Sequence, residues 1–243
     1  MTVRTLKTLI VSIYRVLRSV PILNKIKKMD RKNYSREEYN AIVHKLPKKI
    51  GRSIFKSTGS KIVVNGEEKI HDSQVLFVSN HQGNFDIFAL LGYLKKPFGF
   101  ISKIEVKKIP IARTWMEKMD CLFLDRKDRR QSLKTFKQGI ELLKDGHSLL
   151  IFPEGTRARR DELLEFKSGS LSLARKANVP VQPVMINGTY NIMEANNNRI
   201  RKGKVYLTVC DPILPEEYEH MSLDELADET KKRIQEAMDQ TKK

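Results

Sequence analysis

A histidine and an aspartate five positions apart, in Asn80-His81-Gln82-Gly83-Asn84-Phe85-Asp86, make a pair that can move a proton. On a regular helix the two side chains would stand about 140° apart and could not meet. Gly83 and Asn84 tolerate unusual backbone dihedrals, and asparagine caps helices, so the spacing predicts a turn after His81 and a helix starting near Phe85. Asp86, in the first helical turn, then accepts the proton of one imidazole nitrogen, fixes the tautomer and leaves the other nitrogen to take a proton from a hydroxyl. The chain has no Gly-x-Ser-x-Gly elbow, and Cys121 and Cys210 sit in strand-like apolar runs rather than beside a turn. The hydroxyl to be activated therefore belongs to a substrate.

A second segment, Phe152-Pro153-Glu154-Gly155-Thr156-Arg157, carries a carboxylate and a phosphate-sized cation around a glycine that lets backbone approach a ligand. Each segment follows an apolar run, Val75-Leu76-Phe77-Val78 and Leu149-Leu150-Ile151-Phe152, which predicts two buried parallel strands delivering loops to one sheet edge. That edge is where active sites of α/β sheets collect.

With these residues in place the chain resembles the glycerolipid acyltransferases, and within them the bacterial 1-acyl-sn-glycerol-3-phosphate acyltransferases. Four motifs of that family occur in its order. They are His81-x4-Asp86, the run Asp120-Cys121-Leu122-Phe123-Leu124-Asp125-Arg126 with Asp120 where the family has glycine, Phe152 to Arg157, and the proline-punctuated stretch Val179-Pro180-Val181-Gln182-Pro183-Val184. The resemblance implies acyl transfer from a thioester of acyl carrier protein or coenzyme A to the sn-2 hydroxyl of lysophosphatidic acid, giving phosphatidic acid, with no cofactor and no metal. It implies His81 as general base and Asp86 as its support. It places Arg126 and Arg157 on the acceptor's phosphate and Glu154 on glycerol hydroxyls or against Arg157. Gly155 and Thr156 join the phosphate- and glycerol-binding set, Gly155 by letting backbone approach the ligand and Thr156 by hydrogen-bonding ligand or loop, and Lys103 is a further candidate for phosphate or thioester oxygen. Backbone amides around Gly83 or at the start of the helix near Asp86 are the candidate oxyanion donors. Glycerol 3-phosphate or a lysophospholipid with a larger head group are the rival acceptors, and a noncatalytic membrane adaptor is the rival class. The fourth motif predicts an edge or irregular strand shaping the acyl pocket, because proline cannot donate to a central ladder.

Positioning these segments takes one α/β domain, a mixed, largely parallel sheet flanked by helices, over residues 59–243. Strands are expected at Lys61-Ile62-Val63-Val64-Asn65, Phe98-Gly99-Phe100-Ile101, Cys121 to Leu124, Val184-Met185-Ile186 and Val205 to Val209. A helix bearing Leu133, Phe136, Ile140 and Leu143 closes at Gly146, and Ser222-x-x-Glu225 is a capping box opening the last helix.

Residues 1–58 form a basic appendage. The first sixty residues hold 15 Lys plus Arg against 3 Asp plus Glu, a net +12 of the chain's +17. Leu6, Leu9, Ile10, Ile13, Val16, Leu17 and Val20 share one side of a helical wheel and Arg4, Lys7, Arg15 and Arg18 the other, so a strongly amphipathic helix is expected to end at Pro21. Its uncharged stretch from Thr8 to Tyr14 is far shorter than the roughly 20 residues that span a bilayer, and it fits no secretory signal. It suits an anionic membrane surface, where each Lys or Arg contributes about 1 kcal/mol. A second basic stretch, Tyr39 to Lys56, is expected to be divided by Pro47 or to start a helix afresh there. Together with two cysteines, these features place the protein at the cytoplasmic face of the inner membrane, held peripherally. Nucleic acid is excluded as a partner, because the basic residues accompany an aliphatic stripe and lack aromatic stacking platforms.

Overall fold

The computed structural model describes residues 2–241. Three helices lead the chain, α1 (Val3–Arg18), α2 (Val20–Lys27) and α3 (Arg36–Ser57). Alternating elements follow: β1 (Lys61–Asn65), β2 (Leu76–Ser79), α4 (Phe85–Tyr93), β3 (Gly99–Lys103), α5 (Pro110–Lys118), β4 (Leu122–Leu124), α6 (Arg129–Lys144), β5 (Leu149–Ile151), α7 (Ser172–Ala177) and β6 (Val181–Asn187). The chain closes with β7 (Lys204–Val209), α8 (Pro215–Tyr218) and α9 (Leu223–Gln240).

The strands form one sheet in the order β1-β7-β6-β2-β5-β3-β4. Every neighbouring pair is parallel except β6 with β7. This is the mixed, largely parallel sheet that the alternating apolar runs predict. Successive side chains of β2 enter opposite layers, since strand residues alternate. Phe77 joins a core with Phe55, Leu90 and Trp115 from α3, α4 and α5, whereas Leu76 and Val78 join Leu143, Leu173 and Ile234 from α6, α7 and α9. Both faces are covered, so β2, β5 and β6 are buried throughout.

Register places the site. Val78 of β2 stands opposite Ile151 of β5 on one side and Pro183 of β6 on the other. Three chains therefore leave the same sheet edge side by side, at Asn80, Phe152 and Gly188. β3 and β4 end at that edge too, delivering Lys103 and the turn that carries Arg126.

The fourth motif departs from expectation. β6 is a central strand, not an edge, and none of its residues lines the large cavity. Pro183 is tolerated because the missing N–H falls where the β7 side of the ladder is already broken. Val181 exchanges both backbone hydrogen bonds with Ile213, regular pairing to β7 resumes at Val184, and the partner chain bulges between Cys210 and Ile213. Gln182 fills in on each side, accepting the His71 N–H at 3.0 Å and donating to the Cys210 carbonyl at 2.6 Å.

Pro47 does not divide the second basic stretch. α3 runs unbroken from a Ser35/Glu38 capping box, and Pro47 sits buried in its middle. Burial decides this, because α3 contributes Tyr39, Val43, Ile54 and Phe55 to the main core and packing outweighs one lost helix bond.

α1 is built the other way round. It ends at Arg18, three residues short of Pro21, and its one fully buried residue is Thr8. Leu9, Ile10, Ile13 and Leu17 are 49–58% exposed. The stripe that faces the body carries Thr5, Thr8, Ser12 and Val16, while Lys7, Arg15 and Arg18 stay exposed. Arg4 donates to the Thr58 carbonyl at 2.7 Å, Arg15 to the Ser53 hydroxyl at 2.9 Å, and Thr5 accepts the Ile200 N–H at 2.9 Å. Among the described residues no helix is long and apolar enough to cross a membrane.

Candidate active site

His81 Nδ1 lies 2.6 Å from Asp86 Oδ2, and Asp86 is fully buried. The turn that joins them differs in detail from the expected one. Asn84 has helical dihedrals and makes no side-chain cap. Asp86 does the capping, its Oδ2 accepting the N–H of Gln82 at 2.7 Å and of Gly83 at 2.9 Å, while Oδ1 takes the Thr189 hydroxyl. With four donors converging on two oxygens the carboxyl acts only as an acceptor, so Nδ1 carries the imidazole proton and Nε2 is left unprotonated in the neutral ring. Nε2 meets no hydrogen-bond partner among the described residues. Phe152 fixes the ring's tilt by stacking on it, centroids 4.0 Å apart and planes 17° from parallel.

Gly83 is required for space. A Cβ there would come within 2.6 Å of Glu194 Oε2. Two further polar residues of the segment reach the end of β6: Asn80 exchanges two 2.8 Å bonds with the Ile186 backbone, and Gln82 donates to Asn187 Oδ1 and accepts the Gly188 N–H. The loop is thus nailed to the end of β6.

The second loop is laced to the first. Glu154 Oε1 accepts the His81 N–H at 2.9 Å, and the carbonyls of His81 and Gln82 accept the N–H groups of Ala158 and Arg159 at 2.8 and 3.1 Å. Glu154 is 4% exposed and touches neither Arg157 nor the cavity. Burial pushes its carboxyl up to about 7, against the pull of the His81 and Leu164 amides, and its Oε2 has no partner. The expected Glu154–Arg157 contact is absent. Arg157 donates instead to Asn84 Oδ1 at 2.6 Å and Glu194 Oε1 at 3.2 Å. Arg126 is exposed and donates to the Gly155 carbonyl. Gly155 has φ +71°, and a Cβ there would press on Lys167 Nζ and Arg126 Nη1 at 3.2 and 3.4 Å.

His81, Lys103, Arg126, Gly155, Thr156 and Arg157 all border one cavity of about 1020 Å³. Its mouth adds Arg159 and Lys167, two cations that the motifs did not single out. Its inner wall is apolar, with Ile50 and Ile54 from α3, Phe88 and Leu91 from α4, and Trp115 and Met116 from α5. A molecule with an anionic head and a long aliphatic tail matches that change of character. The amides of Gln82, Gly83 and Asn84 are all engaged by carboxylates, which removes the amides around Gly83 as oxyanion donors. No cluster of three or more His, Cys, Asp or Glu among the described residues is arranged to hold a metal.

A family model described as Acyltransferase matches residues 61–187, which contain both site loops but not Gly188, Thr189, the Glu194 turn or the leading helices. The chain belongs to the acyltransferase family. A chloroplastic 1-acyl-sn-glycerol-3-phosphate acyltransferase of Arabidopsis thaliana is 36% identical over 207 residues, 84% of this chain and 56% of that protein. The 1-acyl-sn-glycerol-3-phosphate acyltransferase of Saccharomyces cerevisiae is 29% identical over 72% of this chain and 59% of its own length. The chain thus spans little more than half the length of the curated relatives it matches. A crystal structure of the 1-acyl-sn-glycerophosphate acyltransferase PlsC from Thermotoga maritima covers 98% of both chains with a TM-score of 0.83 at 30% identity.

Asp120 is the residue that departs from the second motif. Asp120 has φ +56°, a backbone state that glycine adopts freely and aspartate better than most residues. Its carboxylate pairs with Arg31 at 2.9 Å and His147 at 3.2 Å, away from the cavity. Thr189 and Glu194 escaped sequence reasoning because neither lies in a motif. The one signal for Thr189 is its place directly after a buried strand.

Proposed function

We propose that this acyltransferase-family chain transfers an acyl group from an acyl carrier protein or coenzyme A thioester to the sn-2 hydroxyl of lysophosphatidic acid, yielding phosphatidic acid. The observation that carries the reading is His81, whose Nδ1 is held by Asp86 so that Nε2 is the acceptor of the neutral ring, on the wall of a cavity lined by both cations and apolar side chains. Nε2 takes the hydroxyl proton as the oxygen attacks the thioester carbonyl. The tetrahedral intermediate then collapses, the C–S bond breaks, and the imidazolium returns its proton to the departing thiolate. Base catalysis of this kind is worth about 10² to 10⁴ in rate. Arg126 and Arg157 bind the phosphate with Lys103 nearby, while Gly155 and Thr156 form the loop that the head group approaches. Glu154 braces His81 from below and does not touch glycerol.

α1 holds the enzyme on the anionic cytoplasmic face of the membrane. The support is its orientation, an apolar side turned outward beside the cavity that Val16 helps to line. Both the acceptor and the product are lipids, so a peripheral site delivers one and returns the other without crossing water.

The test offers one labelled acyl thioester against lysophosphatidic acid, glycerol 3-phosphate and lysophosphatidylcholine, with wild type and His81→Ala. Phosphatidic acid from wild type alone supports the reading. Product from another acceptor moves the substrate, and no product from any acceptor sinks the enzyme reading in favour of a membrane adaptor.

A further inference from the structure

We propose that Glu194 is a positioning residue that sets how Arg157 meets the acceptor's phosphate. The inference rests on the acyl-transfer reading above and adds a residue outside every motif. Glu194 opens a 3-10 turn (Glu194–Asn196) beyond β6, and its side chain is 4% exposed. It does not border the cavity, whereas Arg157 does. Oε1 accepts the Asn84 N–H at 2.7 Å and Arg157 Nη1 at 3.2 Å, and Asn84 Oδ1 closes the triangle on the same Nη1 at 2.6 Å. A buried carboxylate in this position has one cation to balance it, so the pairing with Arg157 is strongly directed.

The geometry divides the guanidinium. Nη1 is occupied by two protein acceptors, while Nη2 and Nε have no protein partner among the described residues. Those two nitrogens form one edge of the planar fork, the edge that takes two phosphate oxygens together. Glu194 therefore holds Arg157 by one corner and leaves its bidentate edge for the ligand. It also fixes where that edge stands relative to His81, since Oε2 fills the space beside Gly83 that a Cβ would need. One buried carboxylate thus joins the base-bearing loop and the phosphate-bearing loop, which are 73 residues apart at Asn84 and Arg157. Without it, a long arginine must be ordered by the ligand itself, and the loss falls on acceptor binding.

The test compares Glu194→Ala, Arg157→Ala and the double variant, each measured with lysophosphatidic acid and with a monoacylglycerol that lacks the phosphate. Glu194→Ala is expected to raise the KM for lysophosphatidic acid about tenfold, keep kcat within a few-fold, and leave kcat/KM for monoacylglycerol unchanged. The double variant is expected to be no worse than Arg157→Ala in KM and to melt above it, because Arg157→Ala alone strands a buried charge. Equal losses with both acceptors would mark Glu194 as a merely structural residue and overturn the proposal, as would an unchanged KM. If Glu194→Ala does not fold, Glu194→Gln, which keeps the shape and the acceptor for Asn84 but loses the charge, carries the same comparison. A wild type that acylates neither acceptor fails the acyl-transfer reading itself, an outcome separate from any variant.

Discussion

The buried carboxyl of Glu154 reaches the backbone N–H of His81 at 2.9 Å, so the loop after β5 holds the residue that the loop after β2 presents. Glu154 belongs to the brace of the site.

That brace is sensitive to pH. Burial lifts the Glu154 carboxyl from an ordinary 4.5 to about 7. A group whose folded value is raised stabilises the fold most below its unfolded value and loses that contribution as pH rises through the folded one. Wild type is therefore expected to melt lower as pH climbs from about 4.5 to 7, by an amount of order 3 kcal/mol at most, at 1.4 kcal/mol per pKa unit. Glu154→Gln, which copies the protonated form, should flatten that slope in melting curves taken across the range. An identical slope in the variant would remove Glu154 as its source.

Asp86 is held by four donors, and one of them lies outside the sequence motif. Thr189→Val removes the hydroxyl on Oδ1 while keeping shape. A hydrogen bond to a charged group contributes about 1.5 to 3 kcal/mol, so a stability loss of that size and a reduced kcat are expected. Asp86→Asn turns an amide donor toward N–H groups and should cost at least about 10² in kcat. Steady-state turnover with equilibrium denaturation separates the two effects.

Asp120 tests a backbone argument. At φ +56° alanine is strained and glycine is not. Asp120→Ala and Asp120→Gly lose the same partners, Arg31 and His147, yet the glycine variant should be more stable by about 1 kcal/mol. Urea denaturation of the pair measures the difference directly, and equal midpoints would refute the strain.

The membrane role proposed for α1 can be tested apart from folding. Leu9→Ser, Ile13→Ser and Leu17→Ser alter side chains that are already 49–58% exposed, so the melting temperature should hold. Co-sedimentation with vesicles rich in anionic lipid should fall sharply, and more so as salt rises. Unchanged sedimentation of the triple variant would place the membrane contact elsewhere.

The His81–Asp86 pair was legible because a five-residue loop closes on itself. Its geometry follows from local dihedrals and from the carboxylate's reach to Gln82 and Gly83. The strands β2 and β5 were legible for a similar reason, since a continuous apolar run bounded by turn residues fits a sheet covered on both faces. The proline rule failed at β6, because whether the missing N–H of Pro183 matters depends on a bulge in the partner chain, 27 residues away at Cys210.

What the sequence by itself determined is the set of groups available: an imidazole paired with a carboxylate, guanidinium groups beside a glycine-bearing loop, and an amphipathic first helix. The tertiary structure alone decided which partners those groups have. It buried Glu154 under His81, gave Arg157 to Glu194, set Thr189 on Asp86 and turned the apolar side of α1 outward. Contacts within one turn are fixed by bond geometry that a short motif carries. Contacts between residues 37 to 110 positions apart depend on strand order and register, which arise from packing of the whole chain and leave no local pattern to read.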